Sequence, residues 1–167
     1  MTGTYGVLHH LNFLEIVRHP WFISAFAAGG CAQLLKFIIV RVRTGECHWR
    51  EFFTAGGMPS GHSALVSALA FAIGITEGFD APYAMIAFGF GLIVLVDAVT
   101  LRREAGEHAR LLNRIVRHLN NLNEEDRLEV ARLEERIGHS MREMLAGVIF
   151  GALVAFVVCG VWDFWKC

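Results

Sequence analysis

Four stretches of this chain are apolar almost without interruption, and its charge is gathered between them. The first, 21–40, is broken only by Gln33 and Lys36. The second, 60–76, is short and rich in Ala, Ser and Gly. The third, 83–101, carries Asp97 near its end, and the fourth, 144–165, contains Gly147-x-x-x-Gly151. A helix rises about 1.5 Å per residue, so about 20 residues cross a hydrocarbon core of about 30 Å. The pattern predicts an all-α integral membrane bundle of four transmembrane helices, forming one domain over 1–167. Small residues let helix backbones approach closely. The second stretch therefore suits a helix inside the bundle, and Gly147-x-x-x-Gly151 offers a close-packing face that a second copy could use in a homodimer.

The segment between the third and fourth stretches, 102–142, is polar. Leu111, Ile115, Leu119 and Leu122 recur within it at helical spacing, and so do Leu133 and Ile137. Asn120, Asn121 and Asn123 interrupt the pattern. It predicts a pair of amphipathic helices at or beyond the membrane surface, with a further surface helix over 8–19.

Composition sharpens this picture moderately. The chain is 54% hydrophobic with a mean hydropathy of +0.46, against about 45–50% apolar in soluble domains. A net charge of −1 says nothing about nucleic acid, and none is expected as a partner. Cys31, Cys47, Cys159 and Cys167 have no metal or redox spacing, and the first and third of these read as small apolar residues. Of the 15 Lys and Arg residues, all but Arg18 and Lys166 fall on one side of a four-span arrangement. The positive-inside rule places that side in the cytoplasm and both termini outside, in a multi-pass protein of the plasma (inner) membrane.

Four antiparallel spans bring the end of the first, the start of the second, the end of the third and the start of the fourth to one face. Lys36, Arg43, Met58-Pro59-Ser60-Gly61-His62-Ser63, Asp97, Arg102, Arg103, His139 and Glu143 all belong to it. Charge is costly near a bilayer core, so its convergence on one face points to a site. A helix start also offers unpaired N–H groups and a positive dipole end to an anion.

Three clusters among these residues resemble the type 2 phosphatidic acid phosphatase superfamily, which includes the vanadium haloperoxidases, and in particular its divergent branch of small membrane proteins. The resemblance runs from about Lys36 to Gly151. Lys36-x6-Arg43 matches the superfamily's Lys-x6-Arg-Pro with Thr44 in place of proline, and Pro59-Ser60-Gly61-His62 is identical to its second motif. His139-x3-Glu143, followed by Leu-Ala-Gly and Gly151, matches a third motif whose acidic residue is usually aspartate. The superfamily's arginine six residues before this histidine is Leu133 here, with Arg132 and Arg136 out of register.

The resemblance implies His139 as a nucleophile oriented by Glu143, and His62 as the general acid. Lys36, Arg43, Ser60 and Gly61 would bind phosphate, Arg102 or Arg103 would supply the missing cation, and Asp97 would orient it. Fixed cations suit a multiply charged phosphate, and a histidine near neutral pH can attack or trade a proton. No Asp, Glu or His set has metal-ligand spacing, so neither metal nor cofactor is expected. The function implied is a membrane lipid phosphatase acting on a phosphatidylglycerophosphate-like or prenyl diphosphate-like substrate through a phosphohistidine. Against it stand a non-catalytic phospholipid-binding or lipid-transport protein that keeps the pocket, and a structural protein docking through its amphipathic helices. Isolated, the same residues read as snorkelling cations, a capped helix start and a surface His-Glu pair.

Overall fold

The computed structural model describes residues 13–45, 57–122, 128–135 and 137–166. Expectations for Asn123, Arg136, Cys47 and Cys167, and for the first part of the 8–19 helix, lie outside the described residues. Among those described there are helices and no strands: α1 Phe13–Arg18, α2 Pro20–Thr44, α3 Gly61–Glu77, α4 Pro82–Val99, α5 Leu101–Leu122 and α6 Met141–Lys166. α2, α4 and α6 are long and apolar enough to cross a membrane, and α3 is a shorter apolar helix.

The helix limits follow from local chemistry. α2 opens on Pro20, whose missing N–H costs nothing in a first turn, and His19 Nδ1 accepts from the Trp21 amide at 3.4 Å. It closes at Gly45, which takes a left-handed φ of 72° and donates its N–H to Arg41 O at 2.9 Å. Ser60 caps α3 by accepting from the Ser63 amide at 3.3 Å. Pro59 therefore stands before the cap rather than inside the helix. A single non-helical residue, Thr100, separates α4 from α5.

α3 is the centre of the bundle and packs against α2, α4 and α6. Its core is made of small residues: Ala28, Ala32, Ala64, Ala68, Ala72, Ala155 and Cys159 are fully buried. Large side chains such as Met85, Ile86, Ile93, Ile149, Leu153 and Val157 point outward. An apolar exterior around a small-residue core is the arrangement a bilayer demands, because lipid replaces water as the solvent of the outer face. The protein is a multi-pass membrane protein.

Pairings at the two ends of α3 set the helix directions. Trp21 Nε1 donates to Thr76 Oγ1 at 2.6 Å, joining the start of α2 to the end of α3. A Cβ on Gly61 would lie 3.1 Å from Gln33 Nε2, which joins the start of α3 to the later turns of α2. α6 runs parallel to α3: a Cβ on Gly147 would meet Ser60 O at 2.5 Å, and one on Gly151 would overlap Ala64 O. The Gly147-x-x-x-Gly151 face is thus occupied within the chain. It is unavailable as the seam for a second copy that the sequence suggested.

The polar segment also departs from expectation. α5 forms, but 128–135 and 137–140 are non-helical, so the amphipathic helix expected around Leu133 and Ile137 is absent among the described residues. The chain instead returns along α5 as an extended strap. Asn113 Nδ2 donates to Leu133 O at 2.9 Å, and its Oδ1 accepts from Leu133 N at 3.0 Å. Asn120 treats Leu128 in the same way, at 3.3 and 2.9 Å. A carboxamide presents a donor and an acceptor side by side, so each asparagine replaces a missing strand partner.

Candidate functional site

The starts of α3 and α6 lie side by side, because Ser60 N donates to Glu143 O at 3.1 Å. The strap arrives there from α5. Gly138 has a φ of 93° and lies so close to α5 that a Cβ would meet Arg103 N at 2.5 Å. His139 N then donates to Ala98 O at 3.0 Å, at the end of α4. The result is a small cleft of about 20 Å³ lined by His62, Val94, Asp97, Ala98, Arg102, Gly138 and His139. That volume holds one water-sized group.

His139 is only 8% exposed. Its Nδ1 lies 3.5 Å from Glu143 Oε2, long for a strong hydrogen bond and well placed for an ion pair when the ring is protonated. Burial pushes the imidazole pKa below that of an ordinary histidine, with Glu143 opposing the shift and the charges of His62 and Lys36 reinforcing it. The ring is therefore neutral near pH 7. His139 precedes the cap of α6, so its position is set by the strap and not by a helix face.

Glu143 performs a second task. Its Oε2 accepts from the Ser140 amide at 2.8 Å, and its own amide donates to Ser140 Oγ at 3.3 Å. This is a capping box. The Ser140-x-x-Glu143 spacing that signals it is legible in the sequence.

The remaining candidates separate clearly. Lys36 is only 6% exposed, an unusual state for an ammonium, and its stem lies against Gly57, where a Cβ would approach Lys36 Cε to 3.2 Å. Arg102 Nε donates to Asp97 Oδ2 at 2.7 Å beside the cleft. Arg103 is exposed and faces Glu107 at 3.5 Å, one helical turn on and away from the cleft lining. Arg43 is exposed in the last turn of α2, two turns beyond Lys36 and on the same helix face. Ser60 is fully buried, and its Oγ accepts from Ser63 Oγ at 2.9 Å as well as from the Ser63 amide. Gly61 makes room for the Gln33 carboxamide. The sequence marked Gln33 only as an interruption, and its polar atom in an apolar run was the available signal. The structure thus gathers Lys36, Ser60, Gly61, His62, Asp97, Arg102, His139 and Glu143 at one end of the bundle.

Comparison with known proteins finds a family for the chain. A sequence model described as the Divergent PAP2 family matches residues 17–154. An uncharacterized membrane protein of Bacillus subtilis (strain 168), YuiD, is 29% identical over 153 residues, covering 87% of this chain and 97% of that protein. No solved structure matches the chain.

Proposed function

The chain belongs to the Divergent PAP2 family, and from that premise we propose that it is a membrane lipid phosphatase working through a phosphohistidine. The observation that carries this reading is the meeting of two histidines with buried Lys36 and with Arg102, between apolar helices. The lipid chains stay in the bilayer beside α4 and α6, and the phosphate rests at the mouth of the cleft. Lys36, Arg102, Arg43 and the amides at the start of α3 hold its oxygens; Asp97 fixes the guanidinium of Arg102. Phosphoryl transfer depends chiefly on such positioning and charge stabilisation.

His139 Nε2 attacks phosphorus, forming a P–N bond as the P–O bond to the lipid breaks. His62 passes a proton to the departing oxygen. Water then attacks the phosphohistidine, His62 takes up a proton from it, and inorganic phosphate leaves. Placing the site on the cytoplasmic face favours lipid phosphates made there, such as phosphatidylglycerophosphate or prenyl diphosphates. The test is phosphate release by purified protein from a panel of these lipids. His139→Ala is expected to lower the rate by roughly 10³-fold or more, and His62→Ala by roughly 10²–10⁴-fold. Equal rates for wild type and His139→Ala on every active lipid would refute the assignment.

One observation favours a second reading. Glu143 is engaged in the capping box and stands 3.5 Å from His139, which suits a pocket that binds phosphate without turnover. Vanadate or phospholipid binding with no phosphate release from any lipid would establish that case.

A further inference from the structure

The strap that delivers His139 is fastened to α5 along its described length. Asn120 holds Leu128 and Asn113 holds Leu133 by paired backbone hydrogen bonds. Asn113 Nδ2 also donates to Glu135 Oε1 at 2.9 Å. Glu135 in turn faces Arg110 at 3.8 Å and Arg132 at 3.6 Å. Beyond this point the strap backbone closes on Gly106, where a Cβ would meet Ile137 O at 2.7 Å, and Gly138 closes on Arg103. His139 follows at once and bonds to Ala98. Gly106, Asn113 and Asn120 are spaced seven apart, two helical turns each, so they form one stripe on α5.

An extended segment makes few internal hydrogen bonds, here Val130 N to Leu128 O at 3.0 Å, and its register depends on what it pairs with. Of the two asparagines, Asn113 is nearer the site in sequence and is the buried one. We infer that Asn113 is a positioning residue for His139: it sets the register of the strap along α5 and thereby holds the imidazole in the cleft. The groups facing that imidazole come from every surrounding element: Lys36 on α2, His62 on α3, Asp97 on α4, Arg102 on α5 and Glu143 on α6. A slipped strap would carry His139 away from all of them.

The inference rests on His139 being the nucleophile for its kinetic consequence, so the test carries a second readout independent of turnover. The full chain in detergent or nanodiscs is assayed for phosphate release. In parallel, the pH dependence of His139 carbethoxylation by diethylpyrocarbonate is read by peptide mass spectrometry. Asn113→Ala is expected to lower kcat by about 10- to 100-fold with KM within about twofold, the loss typical of a small misplacement. It should also raise the midpoint of His139 modification towards that of an ordinary histidine, while the thermal melt stays cooperative. Asn113→Leu keeps nearly the same volume but loses the acceptor and both donors, and should show the same changes. Should Asn113→Ala fail to fold, Asn113→Leu decides the matter. A folded variant with wild-type His139 modification and kcat overturns the inference. If no lipid is hydrolysed by wild type yet the His139 midpoint still shifts, the phosphatase reading fails and the positioning role stands.

Discussion

At the residue scale, burial suits His139 to the role proposed for it. A histidine taken out of water loses affinity for its proton, and Glu143 restores only part of it. The neutral ring that the proposed attack requires is then the prevailing form near pH 7. The sign of the pH effect follows. kcat/KM should rise with pH along an acid limb whose midpoint lies below 6.5, as measured with a lipid substrate across pH 4.5–7.5 (roughly the titration range of histidine). A midpoint above 6.5 would mean that the ring is not buried as described. The same depression affects stability: the contribution is complete above the unfolded pKa and is lost as pH falls through the folded one. Residue identity alone suggested both histidines. It could not separate Arg102 from Arg103, which differ only in that one reaches Asp97 and the other Glu107.

At the element scale, the crossing of α3 and α6 carries the most constraint. Gly147 and Gly151 lie against the backbone of α3, and even a methyl group at Gly151 would overlap Ala64 O. Gly151→Ala is expected to destabilise the bundle by about 1–3 kcal/mol through overpacking, seen as a lower melting temperature in detergent. Gly30 and Gly160 have open space where a Cβ would go, so alanine there should leave the melt unchanged or raise it slightly, since alanine favours helix over glycine. Equal effects at all three positions would place the contact elsewhere. The motif was plain in the sequence, but its partner was not. Glycine spacing identifies a surface suited to close approach and says nothing about which helix approaches it. The strap shows the opposite case: Asn120 read as an interruption of a helix when it is a fastening point for the chain returning beside it.

At the scale of the whole molecule, the helix directions collect the polar ends of four helices, and the proposed orientation of the bundle rests on charge. The proposed orientation, with the Lys- and Arg-rich side in the cytoplasm, puts the α5 segment inside and the turn between α3 and α4 outside. A membrane-impermeant maleimide should label Asp80→Cys on intact cells and Arg114→Cys only in inverted vesicles, in a background where accessible native cysteines are replaced. Labelling of Arg114→Cys from outside would invert the orientation and with it the choice of cytoplasmic lipids as substrates.

The sequence by itself determined the helical class, the apolar stretches and the end of the bundle at which polar residues meet. Each follows from periodicity, length and the cost of charge in lipid, which act locally along the chain. It also carried the motifs that place the chain in its family. Only the tertiary structure decided that Arg102 lines the cleft while Arg103 turns away, that the glycine face is spent within the chain, and that His139 hangs from a strap rather than a helix. Those outcomes depend on which surfaces meet across long sequence separations, and no local pattern specifies them.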